Sequence, residues 1–413
     1  MKINTNPVRG TEDYGPADMQ VRESVRQTIL ETYRQHGFLQ IKTPILEDIN
    51  LLLGSDAGDN SKLMYKVLKR GEKLDLTKEN LTQLDLVDIG LRYDLTVPLV
   101  RYFCNNQANL CIPFKSIQID DVFRADRPQR GRSRQFCQCD IDIIGDPKKS
   151  AEVELLYVAG LTLGKLGFSN FVFKINDKRI LDSLILASGF AQTDIFDVCI
   201  TLDKLNKIGL DGVKKELLAK EYKEECIDQL QYMLAQVQEK GLESLVQVNT
   251  EAVADLQYII QNVNNLSEGR FKVEFDISIV RGQSYYTSTV YEVYCEGFAG
   301  ACGAGGRYDK MVEKISGMDY CAVGFSIGFE PVCMLLKESG RTADVNGLVI
   351  FCEKEDEIFN ILEMQKKFED KFNKITYAYK AKNFNFQKQK MKTMGFDKYC
   401  FSDNEEIRDL WVL

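Results

Sequence analysis

The sequence predicts an α+β protein in which helices flank an antiparallel sheet, with a helical insertion and a small α/β domain that follows. Residues 114–145 alternate apolar and polar side chains with a period of two, which predicts sheet strands. Residues 176–266 are rich in Leu, Lys, Glu and Gln at helical spacing, which predicts the insertion. Strand and helix patterns alternate after residue 345, which predicts the small domain.

The first elements are a helix, a strand and a hairpin. Residues 17–36 place apolar side chains at helical spacing, and the segment after them predicts one short strand that ends at Pro44. Residues 114–145 predict two antiparallel strands around a long polar loop. We therefore assign residues 1–175 to the first part of a central domain.

The helical insertion over residues 176–266 is followed by a return to strand patterns, so residues 267–338 complete the central domain. The glycine-rich segment 300–306 lacks the register of a dinucleotide or P-loop motif, and its glycines favour a close approach of the backbone to a ligand. A polar linker then leads to residues 345–413, the small α/β domain.

Composition disfavours several classes of protein. The sequence contains one histidine, His36, which disfavours zinc sites with several histidine ligands and hydrolytic triads with a histidine base. The twelve cysteines lack metal-binding spacing and are expected to be reduced, packed thiols. The net charge of −8 does not favour a general polyanion-binding surface. With neither a membrane span nor a secretory signal evident, we expect a cytoplasmic protein without membrane contact.

One face of the second hairpin strand is polar. Phe136, Gln138, Asp140 and Asp142 alternate with apolar neighbours, so their side chains share one side of the strand. Such a face is either solvated, as is common in antiparallel sheets, or the floor of a cleft. The strand pattern by itself leaves both interpretations open.

The loop before this strand favours a nucleotide site. It carries five arginines, which are Arg124, Arg127, Arg130, Arg132 and Arg134. Guanidinium groups suit bidentate contacts to phosphate oxygens, and the neighbouring Phe136 could stack on a base. Solvated surface arginines are the alternative.

Two further segments carry polar groups of interest. Asp94 and Thr96 stand two residues apart and, on one strand face, could bind an ammonium group. Arg281 stands beside a turn, where it could meet a carboxylate or phosphate, or form only a surface ion pair.

Taken together and in this order, these segments resemble histidyl-tRNA synthetases. Residues 37–48 resemble class II motif 1, and residues 122–145, which hold the arginine-rich loop and its following strand, resemble motif 2. The remaining matches are residues 324–331, which resemble motif 3, and residues 280–292 and 303–309, which resemble the two histidine-specific signatures. The resemblance runs from residue 9 to residue 331.

The resemblance implies a class II antiparallel catalytic sheet, with residues 1–175 and 267–338 as the two parts of the catalytic domain. Residues 176–266 would lie near the tRNA acceptor arm, and residues 345–413 resemble a shortened anticodon-binding domain. The implied reaction activates histidine with ATP and Mg²⁺, without metal-ligating residues of the protein, and transfers it to tRNA(His). The resemblance also implies a homodimer formed through motif 1.

Carried over position by position, the resemblance implies two adjoining ligand sites. The implied ATP-binding residues are Arg124 at the α-phosphate, Asp126 at the adenine edge, Arg132 at the outer phosphates and Phe136 stacked on adenine. The implied histidine-binding residues are Asp94, Thr96 and Gln138 at the amino group, Asp142 and Tyr286 at the imidazole, Tyr308 closing that pocket, and Arg281 at the carboxylate. Arg124 and Arg281 would be the catalytic residues.

Motif 3 departs from the family at one position. The family ends this motif in Glu-Arg, whereas this chain has Glu330 followed by Pro331. Proline is compatible with a helix start, but the missing guanidinium contact is typically worth about 1.5–3 kcal/mol. Two functions stay open: a histidine–tRNA ligase, and a catalytically impaired histidine-binding paralogue similar to the regulatory subunit of ATP phosphoribosyltransferase.

Overall fold

The computed structural model describes residues 3–54, 62–280, 286–339 and 346–410. The chain divides into two compact units. The larger unit comprises residues 9–11 and 28–332, and the smaller one comprises residues 1–8, 12–27 and 333–413.

A central sheet organises the larger unit, and eight strands of the described residues form it. In spatial order they are β1 (Leu39–Gln40), β5 (Phe114–Phe123), β6 (Gln135–Ile144), β11 (Ala322–Gly328), β10 (Gly303–Arg307), β9 (Thr289–Cys295), β7 (Phe171–Asp177) and β8 (Lys272–Phe275). Neighbouring strands are antiparallel except at the two edges, where β1 runs parallel to β5 and β8 parallel to β7. The predicted antiparallel sheet is confirmed, including the β5–β6 hairpin.

A smaller sheet of the described residues corrects one prediction. Its strands are β2 (Leu46–Asp48), β4 (Val87–Leu91) and β3 (Lys66–Leu68), in that spatial order. The segment was predicted to form one short strand that ends at Pro44. Strand β1 lies before Pro44 as expected, but a second strand, β2, follows the proline and joins a different sheet, because β1 pairs with β5 whereas β2 pairs with β4. Proline has no backbone N–H for a strand ladder, so Pro44 lies where the chain passes from one sheet to the other.

Helices pack on the sheets and form the insertion. Those outside the insertion are α1 (Pro16–Gln35), α2 (Ile49–Gly54), α3 (Gln83–Leu86), α4 (Thr96–Asn106), α5 (Ser150–Lys165), α11 (Asp309–Ser316) and α12 (Phe329–Glu338). Those of the predicted insertion are α6 (Lys178–Ala187), α7 (Ile195–Leu202), α8 (Leu205–Ala219), α9 (Glu224–Lys240) and α10 (Thr250–Ser267). Helix α5 packs on β11, and α10 packs on α5 and β8.

A buried ion pair fixes the end of β10. Arg307 is almost fully buried and donates to both carboxylate oxygens of Glu152, with distances of 2.8 and 2.6 Å. Thr289 donates to the same carboxylate at 3.0 Å. Burial alone would raise the pKa of Glu152, but the hydrogen bonds and charge of Arg307 lower it overall. This pair holds the backbone immediately before Tyr308.

The smaller unit confirms the predicted alternation of strands and helices. Its elements after residue 345 are β12 (Gly347–Cys352), α13 (Ile358–Phe368), β13 (Lys374–Tyr379), α14 (Phe384–Thr393), β14 (Lys398–Phe401) and β15 (Asn404–Asp409). Strand β12 runs parallel to β13 and β14, and β15 runs antiparallel to β14. The apolar residues of β12 alternate sides, since Leu348 packs in a cluster with Ile361 of α13 and Phe351 in a cluster with Phe384 of α14.

All twelve cysteines are free thiols and most are buried, as predicted. Within the described ranges, no helix combines the length and apolar character that crossing a membrane requires.

Candidate active site

A cavity of about 880 Å³ lies over the central sheet of the larger unit, and β6 supplies its floor. The side chains of Phe136, Gln138, Asp140 and Asp142 all line it. The polar face of this strand therefore faces a cleft, which decides between the two interpretations that the sequence pattern left open. Asp140 and Asp142 are only 4% and 2% exposed, so the floor is a buried acidic surface.

Asp142 lies at the deep end of the floor. Its Oδ1 accepts a hydrogen bond from the Tyr308 hydroxyl at 2.7 Å, and its Oδ2 is buried without a hydrogen-bond partner among the described residues. Burial raises the pKa of Asp142 to about 7, the Tyr308 hydrogen bond opposes that rise, and the charge of Asp94 adds to it. A buried carboxylate oxygen without a partner is suited to a ligand that donates a hydrogen bond.

Glycines make room for the groups around Asp142. Gly324 lies opposite Asp142 on β11, and a Cβ there would stand 2.0 Å from Asp142 Oδ1. Gly306 lies opposite Gly324 on β10, and a Cβ there would stand 2.7 Å from the Tyr286 ring. Both tyrosines of the histidine-specific signatures, Tyr286 and Tyr308, line the cavity at this end. The glycine-rich segment is thus partly a sheet strand, and its missing side chains give space to aromatic rings.

Asp94 and Thr96 line the cavity but do not share a strand face, contrary to the sequence expectation. Asp94 follows β4, and Thr96 is the first residue of α4. Asp94 Oδ1 accepts a hydrogen bond from the backbone N–H of Val97 at 3.1 Å, which stabilises the start of the helix. The alternation in this segment was too short to separate a strand from a helix start.

Gln138 and Asp140 lie next to each other along the floor. Gln138 Nε2 is 3.4 Å from Ser326 Oγ and 3.5 Å from Asp140 Oδ1, and its Oε1 is buried without a partner among the described residues. The motifs of the sequence assigned no role to Asp140. Its place in the alternating pattern was the signal that could have found it.

The other end of the floor carries the residues predicted to bind a nucleotide. Arg124, Arg132 and Phe136 line the cavity. Arg124 Nε donates to the backbone carbonyl of Tyr93 at 2.8 Å, and its guanidinium carbon lies 5.1 Å from the centroid of the Phe136 ring. Arg132 is exposed, and Asp126 is not among the described residues on the cavity wall. Arg281 lies outside the described residues.

A family model described as histidyl-tRNA synthetase matches residues 10–332. The chain belongs to the histidyl-tRNA synthetase family. The match covers both parts of the central sheet, the inserted helices and the whole cavity floor.

Relatives and solved structures of the histidyl-tRNA synthetase family agree with this assignment. The chain is 36% identical to a histidine–tRNA ligase from Leifsonia xyli subsp. xyli over 413 residues, covering 96% of this chain and 95% of the relative. The histidyl-tRNA synthetase structure from Nostoc sp. PCC 7120 superimposes with a TM-score of 0.76 at 24% identity, covering 99% of this chain and 95% of that one.

A Bacillus halodurans structure described as an ATP phosphoribosyltransferase regulatory subunit/histidyl-tRNA synthetase superimposes equally well. Its TM-score is 0.76 at 18% identity, with 97% of this chain and 98% of that chain covered. At this identity the likeness shows a shared fold. Functional differences between histidyl-tRNA synthetases and such proteins must therefore be sought in individual site residues.

Motif 3 of this histidyl-tRNA synthetase family member ends beside the part of the cavity floor that carries Phe136. Glu330 Oε1 accepts a hydrogen bond from the backbone N–H of Cys137 at 3.2 Å, which joins α12 to β6. Pro331 lies in the first turn of α12 and lines the cavity. A first-turn N–H has no partner within the helix, so proline is tolerated there and the helix forms as expected.

Proposed function

We propose that this chain is a histidine–tRNA ligase that activates histidine with ATP and transfers it to tRNA(His). The observation that carries the proposal is the order of groups along one strand. Asp142, which has one oxygen bound by Tyr308 and the other without a partner among the described residues, lies toward one end of β6, and Phe136, with Arg124 beside it, lies toward the other. One continuous floor can therefore hold an imidazole and a nucleotide side by side.

The deep end would bind histidine. An imidazole N–H would donate to Asp142 Oδ2, while Tyr308 keeps the other carboxylate oxygen occupied at 2.7 Å and so fixes the orientation of the group. Tyr286 would pack against the ring. Asp94, Thr96 and Gln138 would receive the amino group, and Arg281 would hold the carboxylate that reacts.

The outer end would bind ATP. Phe136 would stack on adenine, Arg124 would contact the α-phosphate and Arg132 the outer phosphates, while a contact of Asp126 with the adenine edge remains a prediction. Among the described residues, no group of three or more His, Cys, Asp or Glu side chains could hold a metal ion. Mg²⁺ is commonly bound through substrate phosphates and water with few protein ligands, so it would be carried by ATP and offset phosphate charge.

The chemistry needs positioning rather than a protein nucleophile. An oxygen of the histidine carboxylate would attack the α-phosphorus in line, forming the histidyl-adenylate as the bond to pyrophosphate breaks. Arg124 and Arg281 would stabilise the negative charge that develops on the α-phosphate. A hydroxyl of the terminal tRNA ribose would then take the histidyl group, and AMP would leave.

The homodimer proposed from motif 1 has support in exposed apolar side chains. Leu39, Ile45 and Leu46 of the motif 1 segment and Leu68 of β3 are each more than two-fifths exposed, and Leu39 reaches 61%. Large apolar side chains that remain exposed on one copy of a chain are candidates for burial against a partner. We propose that a second copy of the chain covers these side chains.

We also propose that the enzyme acts in the cytoplasm.

The test of the ligase function is histidine-dependent exchange of pyrophosphate into ATP, followed by charging of tRNA(His). Exchange that requires histidine and is not supported by other amino acids is the expected result. The presence of Pro331 in place of an arginine favours one competing function, a histidine-binding paralogue without ligase activity. Calorimetric binding of histidine with neither exchange nor charging would support that competitor and overturn the ligase proposal.

A further inference from the structure

Asp140 is a buried carboxylate for which the proposed mechanism has no role. Its side chain is 4% exposed and lines the cavity between Gln138 and Asp142. Cross-strand register places Gln118 of β5 on one side of it and Ser326 of β11 on the other. Residues that are directly opposite in antiparallel strands have neighbouring side chains, so these two are its nearest partners across the sheet.

Gln118 has other partners and does not neutralise Asp140. Its amide nitrogen donates to the Leu95 carbonyl at 2.8 Å, and its amide oxygen accepts from the Thr43 hydroxyl at 3.0 Å. Among the described residues, no lysine or arginine forms an ion pair with Asp140. A hydroxyl from Ser326 is a weak substitute for a counter-charge at a buried site.

The electrostatic surroundings of Asp140 favour a cationic ligand. Burial raises the pKa of Asp140 well above its ordinary value, and the charges of Asp142 and Asp94 raise it further. Ser326 and the charge of Arg124 act in the opposite direction but do not outweigh these effects. A ligand cation beside Asp140 and Asp94 would relieve the repulsion among three carboxylates that face one cavity.

The order of residues along β6 indicates which part of the substrate this cation is. The imidazole is assigned to Asp142 and the α-phosphate to Arg124, so the α-carbon of histidine must lie between them. Asp140 lies two residues before Asp142 on the same strand, which corresponds to a separation of roughly 7 Å toward Phe136. Three single bonds of about 1.5 Å each separate the imidazole from the ammonium nitrogen, and the ring itself adds to that span.

We propose that Asp140, together with Asp94, binds the α-ammonium group of histidine and thereby selects an amino acid over an imidazole ligand that lacks the amine. This proposal rests on the proposed function, since it requires histidine in the cavity. Gln138, whose amide nitrogen lies 3.5 Å from Asp140 Oδ1, would accept a hydrogen bond from the same ammonium group with its amide oxygen. Asp140 acts as a specificity-determining residue.

The experiment compares two ligands on wild-type protein and on asparagine variants by calorimetry. The ligands are histidine and imidazole-lactate, which carries a hydroxyl in place of the ammonium. Asp140→Asn should weaken histidine binding by about 10- to 100-fold, the effect of one lost charge-assisted contact, and leave imidazole-lactate binding unchanged. Asp142→Asn should weaken both ligands.

A matched control is Asp120→Asn on the adjacent strand. Asp120 lies opposite Gln138, is not among the described cavity-lining residues, and has its charge paired with Arg92 at 3.1 Å. This control should change neither affinity. Asp94→Asn is the second test variant, and it should show the same selective loss as Asp140→Asn.

Each outcome decides the proposal. Equal weakening of both ligands by Asp140→Asn would place Asp140 at the ring or give it a purely structural role, and no effect on either ligand would deny it any part in binding. If asparagine at position 140 prevents folding, the same two-ligand comparison on Asp140→Ser decides. Failure of wild-type protein to bind histidine would overturn the proposed function itself, which is a different result from a loss of ligand selectivity.

Discussion

Replacing Asp142 with asparagine should stabilise the protein while weakening its binding of histidine. The change keeps the shape of the side chain, and an amide oxygen can still accept the Tyr308 hydrogen bond that is 2.7 Å long in the wild type. It removes a carboxylate that is almost fully buried and whose pKa is raised to about 7 from an ordinary 3.8. At about 1.36 kcal/mol per pKa unit, ionising this group inside the folded protein costs on the order of 4 kcal/mol.

The sign of the effect follows from the direction of the pKa shift. Because the folded-state pKa is raised, Asp142 does not destabilise the protein below about pH 4, and it destabilises it increasingly as the pH rises to about 7. The advantage of the asparagine variant should therefore be on the order of 1–2 kcal/mol at pH 5 and on the order of 4 kcal/mol at pH 8.5. Above pH 7 the advantage should no longer grow.

Urea unfolding followed by circular dichroism at both pH values measures this difference, and calorimetry with histidine tests the site in the same samples. The expected combination is a more stable protein that binds histidine at least about tenfold more weakly. Two results would refute the reasoning: a variant that is less stable than wild type at pH 8.5, or a gain in unfolding free energy that is equal at both pH values. In either case Asp142 would not be a buried group that is costly to ionise.

Three further predictions concern separate parts of the site. Tyr308→Phe removes a hydrogen bond that lowers the pKa of Asp142 and should therefore raise that pKa further. Calorimetry should show a histidine affinity that is weaker than that of the wild type at pH 7 and that approaches it as the pH rises, and a loss independent of pH would contradict this. Phe136→Ala should raise the KM for ATP in the exchange assay by about tenfold or more through lost stacking, while the affinity for histidine stays unchanged. If the variant bound ATP and histidine more weakly to the same extent, Phe136 would have another place in the mechanism. Leu46→Asp should give a monomer in analytical ultracentrifugation, whereas an intact dimer would exclude β2 from the interface.

The parts of the fold that local pattern determines were predictable from the sequence. The β5–β6 hairpin follows from the period of two, because every second side chain of a strand that lies between a core and a cleft must be apolar. The inserted helices follow in the same way from their apolar spacing. The prediction of one short strand ending at Pro44 missed strand β2 after the proline, since spacing does not reveal which sheet a short strand joins.

The contacts that define the site are long-range, and the sequence pattern could not provide them. Asp142 and Tyr308 are 166 residues apart, and they meet because Gly324 on β11 leaves space between β6 and the start of α11. Asp94 reaches the cavity from the loop before α4 rather than from a strand. The family resemblance pointed to these residues by motif position, whereas the proposal for Asp140 depends on the strand register, which places it on the cavity floor opposite Gln118 and Ser326.

The consequence of Pro331 can be measured directly by restoring the arginine. Pro331 lies in the first turn of α12, where a residue with or without a backbone N–H is tolerated, and it lines the cavity near the nucleotide end. An arginine introduced there would start from the cavity wall and could extend toward the phosphates. Pro331→Gln is the matched control, because it also replaces proline by a long side chain but adds no charge.

If the missing guanidinium limits the reaction, Pro331→Arg should raise histidine-dependent pyrophosphate exchange by about tenfold or more, the effect of one charge-assisted contact, and Pro331→Gln should not. Vigorous exchange by the wild-type protein without a gain from arginine would show that the other arginines of the site suffice, and the ligase function would then stand without the family's motif 3 arginine. Absence of exchange from all three proteins, with histidine still bound, would refute the ligase function. A site that retains Arg124 and Arg132 and regains the motif 3 charge would have no electrostatic reason to be inactive.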